Sequence, residues 1–421
     1  MDLPAEILAL GQRARAASKG LARLTTARKN AGLAAMADAL LRGDHQANIL
    51  AENARDIQDA HQAGLTGALL DRLALDAGRL AKMADGIREV AALPDPVGEI
   101  LRAWTRPNGL AISKVRVPIG VIGIIYESRP NVTSDAAVLC TKTGNATILR
   151  GGSESLRSNL AIAEALRAGA AQAGLPADSI LIVPWTDREA VRLLAEMDAY
   201  VDMIVPRGGK ALIEAVVRHA RMPVIKHYTG LCILYVDRAA DLEMALRIAI
   251  NAKCQRPGVC NAIETLLVHE AVAARYLEQL GPDLWARGVK IHGDEAVRRI
   301  LGERVIPATA EDWTTEYLAL DLAIKVVGDL DAAVAHIEAN GSHHSDAIVT
   351  ADSARAERFL NEVDSATVYW NASTRFTDGN AFGFGAEIGI STDKLHARGP
   401  MALEELTTYK YLIRGDGQVR E

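Results

Sequence analysis

From Pro118 onward the chain repeats one pattern: a short, almost unbroken apolar run, a turn, then a longer stretch with apolar residues at three- and four-residue spacing. Gly120–Tyr126, Ala146–Leu149, Ser179–Val183 and Val201–Val205 are the apolar runs. Val132–Lys142, Ser155–Ala173, Arg188–Met197 and Ala211–His219 are the helical stretches between and after them. Strands that lack polar alternation are buried on both faces, so this rhythm predicts a parallel sheet covered by helices. The rhythm restarts after Gly230, with strands expected at Leu231–Val236 and Ile263–Val268 and helices at Asp241–Ala252 and Ala271–Leu280. Further strands are expected at Ala323–Val327, Ala347–Val349 and Ala366–Tyr369, with helices at Leu330–Ala339 and Ser353–Val363. Two α/β domains joined near residues 220–230 follow from this.

Three segments fall outside both rhythms. Residues 1–93 have helical spacing throughout, with Gly43 and Gly64 as expected helix stops. Val97–Trp104 and Leu110–Val117 flank the turn residues Arg106-Pro107-Asn108-Gly109 and predict a hairpin. Thr407–Ile413 alternates polar and apolar residues, as a half-buried strand does. Ribbons outside the main sheets often pair with another subunit, so the hairpin and the last strand predict a small β arm. The expected division is 1–228, with hairpin 97–117 belonging to the arm, then 229–395, then 396–421.

Composition narrows the function classes. The chain has 421 residues, 49% of them hydrophobic and 24% charged, which excludes collagen-like and mostly disordered readings. Its net charge of −6 disfavours a general nucleic-acid binder. No apolar run approaches the roughly 18 residues of a membrane span. The beginning, Met1-Asp2-Leu3-Pro4, lacks the basic and apolar regions of a secretion signal. The four cysteines (Cys140, Cys232, Cys254 and Cys260) form no CxxC pair and have no metal-ligand spacing. Reduced thiols in the cytoplasm and no metal are expected.

Four segments carry candidate chemistry. Val205-Pro206-Arg207-Gly208-Gly209-Lys210 opens a helix with two glycines, which suits either phosphate approach to a helix N-terminus or a plain tight turn. The usual GxGxxG and GxxxxGK[ST] fingerprints are absent. Asn251–Asn261 puts Cys260 on a Pro-Gly loop near Arg256, where the thiol is either an activated nucleophile or an inert buried side chain. Tyr126-Glu127-Ser128-Arg129-Pro130-Asn131 follows an apolar strand, where α/β sheets place ligands, or is a solvated loop. Gly341-Ser342-His343-His344-Ser345-Asp346 offers an anion contact or a structural histidine pair.

Together the segments Val117–Glu154, Val259–His269, Val334–Ile337 with Gly341–Ile348, and Ala397–Met401 with Glu404–Lys410 resemble the aldehyde dehydrogenase superfamily. More narrowly they resemble its γ-glutamyl phosphate reductases, over essentially the whole chain. The resemblance implies an aldehyde dehydrogenase-like α/β fold of two parallel-sheet domains plus a small β oligomerisation arm. It implies NADPH-dependent reduction of L-glutamyl 5-phosphate to L-glutamate 5-semialdehyde and phosphate, in proline biosynthesis, through a thioester on Cys260. Arg150 falls on the superfamily's adenosine-ribose lysine, and its guanidinium suits the 2′-phosphate of NADP(H). Gly208 and Gly209 fall on the pyrophosphate-facing turn, and Glu316 on the carboxylate that holds the nicotinamide ribose.

The chain departs from the hydrolytic members at one telling place. Those members carry a water-activating glutamate where this sequence has His227, in His227-Tyr228-Thr229-Gly230. A carboxylate there would hydrolyse the thioester and repel a phosphate, whereas a histidine can donate to one. A hydrolytic NAD(P)-dependent aldehyde dehydrogenase is therefore the alternative reading. Asn340 also departs, standing where the family usually has His or Tyr. The oxyanion donors are expected to be the Cys260 backbone N–H with Ser128 or Asn131. Arg129, Arg256, His344 and Arg375 are expected to meet the substrate phosphate and the glutamate head group. The β arm predicts a homo-oligomer, dimer or tetramer, and pathway logic alone adds a transient contact with glutamate 5-kinase; no nucleic-acid or membrane partner is expected.

Overall fold

The apolar runs do form parallel strands, and they assemble into two separate sheets. The structure, a computed structural model, describes residues 2–420 apart from Thr66, Ser128 and His227, with Ala68 described by its backbone alone. The chain divides into two compact units. One comprises Met1–Lys226, Gly383–Gly389 and Met401–Glu421; the other comprises His227–Phe382 and Ile390–Pro400. The sequence expectation placed the last change of domain at 395/396, whereas the chain passes between units at 382/383, 389/390 and 400/401.

In the first unit a four-stranded parallel sheet runs in the order Ile180–Ile182, Ala146–Arg150, Val121–Tyr126, Met203–Arg207. The two inner strands are buried at every residue, which is why they read as continuous apolar runs. Pro206 lacks an N–H and stands in an edge strand, where a missing ladder bond is tolerated. Helices Pro130–Lys142 and Leu156–Gln172 pack on this sheet, and Thr26–Leu41 packs in turn on Leu156–Gln172.

Five helices fill residues 3–92: Leu3–Leu21, Thr26–Leu41, Gly43–Gln62, Ala68–Leu73 and Ala77–Ala92. Side chains of Thr25 and Asp76 accept first-turn N–H groups and fix two of the starts. Gly64, at φ 82°, follows the third helix as expected. Gly43 does not stop a helix but opens one. Arg42, at ψ 132°, breaks the chain one residue earlier and serves as cap for both neighbouring helices.

The hairpin forms from Ile100–Thr105 and Ala111–Pro118, closed by Gly109 at φ 90°. Thr407–Arg414 pairs antiparallel with Ala111–Pro118 along its whole length. In this three-stranded sheet Tyr411 meets Trp104 edge-on, and the Lys114 ammonium sits 3.5 Å over the Tyr409 ring. Tyr409, Tyr411 and Ile413 are exposed on its edge strand.

The second unit holds a seven-stranded parallel sheet, in the order Ile306–Pro307, Lys290–Gly293, Asp321–Val327, Ile263–His269, Cys232–Val236, Ser345–Val349, Thr367–Trp370. The central strand Ile263–His269 is buried throughout. Its alternation sends Leu266 and Leu234 of the next strand to one apolar cluster, with Leu277 and Leu280. Leu267 and Ile233 face the other, with Ile337 and Phe359. The strand Lys290–Gly293 and helix Glu295–Leu301 had no sequence signal, because Ile291 is the strand's one apolar residue. Among the described residues no helix is long and apolar enough to cross a membrane.

Candidate active site

In the second unit Cys232 and Ser345 open neighbouring strands, and Asn261 stands just before the start of the adjacent central strand. Helix Leu242–Cys254 ends, a turn follows, and the central strand begins at Ile263, so Cys260 lies on the loop that leads into the middle of the sheet. The Ala262 N–H donates to Val259 O at 3.1 Å and tightens this turn around Cys260, whose thiol is half-buried. Asn261 anchors the next position: its Nδ2 donates to Thr377 O at 2.9 Å, and its carbonyl accepts from Thr374 Oγ1 at 2.7 Å. Cys232 stands in register with Ile263 and donates its thiol proton to Cys260 O at 3.2 Å. Burial pushes the Cys232 thiol well up, which keeps it protonated as a donor.

Gly230 lies against the Cys260 backbone so closely that a Cβ there would collide with the Cys260 carbonyl oxygen, Cα and Cβ. The Gly230 N–H donates to Glu316 Oε1 at 2.8 Å. Burial pushes Glu316 above the usual carboxylate range, and the Gly230 N–H draws it back. Expected to hold a nicotinamide ribose, Glu316 in this structure holds the main chain that abuts Cys260.

Arg375 is brought from far along the chain, where Thr374–Phe376 makes a single 3-10 turn. Its Nε donates to Gln255 Oε1 at 2.8 Å. Burial, then the neighbouring Arg256, hold its guanidinium below the ordinary range, while Cys260 acts in the opposite direction. The structure thus unites three of the expected residues, Cys260, Arg256 and Arg375. His344 differs from expectation. It is fully buried, with Nδ1 2.9 Å from Ser345 Oγ and 3.5 Å from Cys232 Sγ. It supports the floor beneath the Cys260 loop and does not present a solvent-facing substrate contact. Gly230, Cys232 and Gln255 were missed by sequence reasoning; the Pro-Gly loop marked the place but not these neighbours.

The first unit has its own cleft, about 540 Å³, at the carboxyl end of Ala146–Arg150 and along helix Lys210–His219. That is where open parallel sheets take nucleotides. Arg150 and Arg188 line it. Arg150 is nearly buried, and its Nη1 and Nη2 donate to Gly151 O and Thr186 O, each at 3.0 Å. Its Nε is buried without a partner among the described residues. Arg188, which the sequence did not single out, is exposed on the same cleft. The expected glycine turn is present: the Gly209 N–H donates to Glu127 Oε2 at 2.9 Å, and a Cβ on Gly208 would stand 2.6 Å from the Glu127 carboxyl carbon. A helix N-terminus favours an anion, and here Glu127 supplies one. The orphaned Arg150 Nε, the exposed Arg188 and this turn fit the adenosine and phosphate groups of a dinucleotide.

Other expected residues of this unit are placed less centrally. Arg129 occupies the N-cap of helix Pro130–Lys142 and makes no side-chain cap bond. Asn131 is exposed on the first turn, and its Nδ2 donates to Asp135 Oδ2 at 2.9 Å. Burial pushes Asp135 up to about 6, against the Asn131 bond and Arg207. This leaves the Asn131 amide engaged with its own helix. Ser128 and His227 lie outside the described residues.

The sequence profile of the aldehyde dehydrogenase family matches residues 4–296. A γ-glutamyl phosphate reductase of Moorella thermoacetica is 57% identical over 421 residues, all of both chains, and one from Geotalea daltonii is 53% identical over the same span. The crystal structure of γ-glutamyl phosphate reductase from Thermotoga maritima superposes with a TM-score of 0.96 at 45% identity, covering 99% of this chain and 100% of that one. The fold is therefore aldehyde dehydrogenase-like, a fold whose enzymes use nicotinamide cofactors. The chain belongs to the aldehyde dehydrogenase family and, within it, to the γ-glutamyl phosphate reductases.

Proposed function

We propose that the protein reduces L-glutamyl 5-phosphate to L-glutamate 5-semialdehyde, with NADP(H) as cofactor, in proline biosynthesis. The reading rests on one observation above the others: a half-buried thiol on a built loop, with the Arg375 guanidinium in electrostatic reach of both Cys260 and Arg256. Neighbouring cations favour a thiolate and attract a phosphorylated substrate. The Cys260 thiolate attacks the acyl carbon, a C–S bond forms, and phosphate leaves with the electron pair of the broken C–O bond. Arg256 and Arg375 bind the departing phosphate. The Cys260 backbone N–H donates to the oxyanion formed in each tetrahedral step. When bound, the cofactor supplies the hydride that reduces the thioester. The C–S bond then breaks, its electron pair returns to sulfur, and the aldehyde is released.

The first unit's cleft is assigned to the adenosine half of NADP(H). Arg188 meets the ribose 2′-phosphate directly, and Arg150 shapes the strand end through Gly151 and Thr186 while offering its Nε. A reaction that depends on a reduced thiol suits a reducing compartment, which supports assigning the enzyme to the cytoplasm. The exposed Tyr409, Tyr411 and Ile413 edge is assigned to pairing with a second copy, in a dimer or tetramer. Because acyl phosphates are labile, a kinase that makes one is a fitting transient partner.

The reaction is tested in reverse: purified protein, glutamate 5-semialdehyde and NADP⁺, with and without phosphate. Reduction of NADP⁺ that needs phosphate, and that Cys260→Ala abolishes, supports the reading. Turnover without phosphate that yields the free acid points to the hydrolytic alternative, and unchanged turnover in the variant removes Cys260 from the mechanism.

A further inference from the structure

Lys253 is the penultimate residue of helix Leu242–Cys254, and Glu264 is the second residue of the central strand. The nucleophile loop lies between them. Both side chains are fully buried, and Lys253 Nζ donates to Glu264 Oε2 at 2.5 Å. The same ammonium donates to Ile263 O at 3.1 Å and lies 5.9 Å from the centre of the Tyr317 ring. A fully buried ion pair is a poor stabiliser, since desolvating two charges offsets their attraction, and an apolar pair of similar volume often does as well. Its presence at the base of this loop calls for another account.

The second carboxylate oxygen supplies it. Glu264 Oε1 accepts the Leu318 N–H at 3.2 Å, and Leu318 has φ 52°, a left-handed conformation that a leucine adopts only when held there. Two residues earlier on this turn, Glu316 accepts the Gly230 N–H, and Gly230 is packed against the Cys260 backbone. One side chain therefore ties the helix before the loop, the strand after it, and the turn that holds the loop's opposite wall. We propose that Lys253 and Glu264 are positioning residues, a clasp that fixes Cys260 for attack through the loop base and through the Leu318–Glu316–Gly230 relay. The proposal deepens the reading of Cys260 as nucleophile and rests on it.

The test uses the full chain with Lys253 and Glu264 replaced together, K253M/E264L, which leaves no lone buried charge. Secondary structure by circular dichroism is expected to be unchanged, with the melting temperature within about 5 °C of the parent. A misplacement of the reacting group by about 1 Å is expected to lower kcat ~100-fold while KM for the semialdehyde stays within about threefold. Mass spectrometry of the Cys260 peptide after timed iodoacetamide treatment gives a readout independent of any substrate; its labelling rate is expected to change at least about fivefold. Glu264→Asp serves if the double variant does not fold: it keeps the charge, cannot span to both Lys253 and Leu318, and is expected to lose kcat in the same way. A folded variant with parental kcat and parental labelling overturns the clasp. Failure of the parent to reduce NADP⁺ overturns the proposed reaction instead, and leaves the labelling comparison to decide the clasp.

Discussion

Gly230 and Cys260 share a contact that admits no side chain: a Cβ on Gly230 would overlap the Cys260 carbonyl oxygen and Cα. The loop must therefore shift when any side chain is added. Gly230→Ala is expected to lower kcat/KM about 100-fold or more by displacing the thiol, and to destabilise the fold by roughly 1–3 kcal/mol as overpacking does. Steady-state kinetics alongside a thermal melt checks both. Parental kinetics in the variant would show that the contact has slack.

The two cleft arginines are expected to separate cleanly. Arg188→Ala removes the exposed cation that the proposed function assigns to the cofactor 2′-phosphate, and loss of such a charge-assisted bond, about 1.5–3 kcal/mol, is expected to raise KM for NADPH roughly 10–100-fold. KM for NADH should hardly change. Arg150→Ala instead strips two main-chain carbonyls of their donors. It is expected to lower the melting temperature by several degrees even without cofactor. Equal effects of both variants on the NADPH/NADH ratio would contradict this division.

Glu127 occupies the amide of Gly209 that a cofactor phosphate would use. Glu127→Gln keeps an acceptor but removes the charge at the helix terminus. Charges at such a terminus are worth about 0.3–1 kcal/mol, so the dissociation constant for the dinucleotide is expected to fall about two- to fivefold. Fluorescence titration with NADPH measures it, and a rise in the dissociation constant would assign Glu127 to binding rather than competition.

Asp346 makes stability depend on pH. It is fully buried, and burial raises its carboxyl from 3.8 to about 7, against bonds from Ser365 Oγ and the Ile233 N–H. The folded chain thus keeps this proton up to about pH 7, while an unfolded aspartate releases it near 4. Across that interval the folded state binds more protons, so its stability falls as pH rises. Asp346→Asn removes the titration and can keep both bonds. Its melting temperature is expected to gain on the parent between pH 5 and 8; parallel curves would exclude this role.

Much of the fold was legible because burial on both faces leaves a plain mark, as in Val121–Tyr126 and Ile263–His269. Lys290–Gly293 was not, since four residues with one apolar side chain form a strand only through their neighbours. The Pro-Gly loop marked Cys260 as a candidate, but it gave no sign of the residues that pack around it. Gln255 and Arg375 meet across 120 positions, and Glu264 reads as an isolated polar residue until Lys253 is seen beside it. His344 shows the converse. Its motif stood out, yet the residues around it close over the ring and its Nδ1 faces Ser345 and Cys232.

The passage of the chain between its units gives the protein a nested architecture. The second unit is inserted within the first: Ala111–Pro118, already paired with Ile100–Thr105, meets its other partner, Thr407–Arg414, only after the chain has gone out and returned. Cleavage at 226/227 alone would not liberate either piece, because three further crossings keep them covalently joined. Neither unit is one contiguous stretch: the second adds Ile390–Pro400 to His227–Phe382, and the first is completed by Gly383–Gly389 and Met401–Glu421. The three-stranded sheet cannot be completed until Thr407–Arg414 has been synthesised.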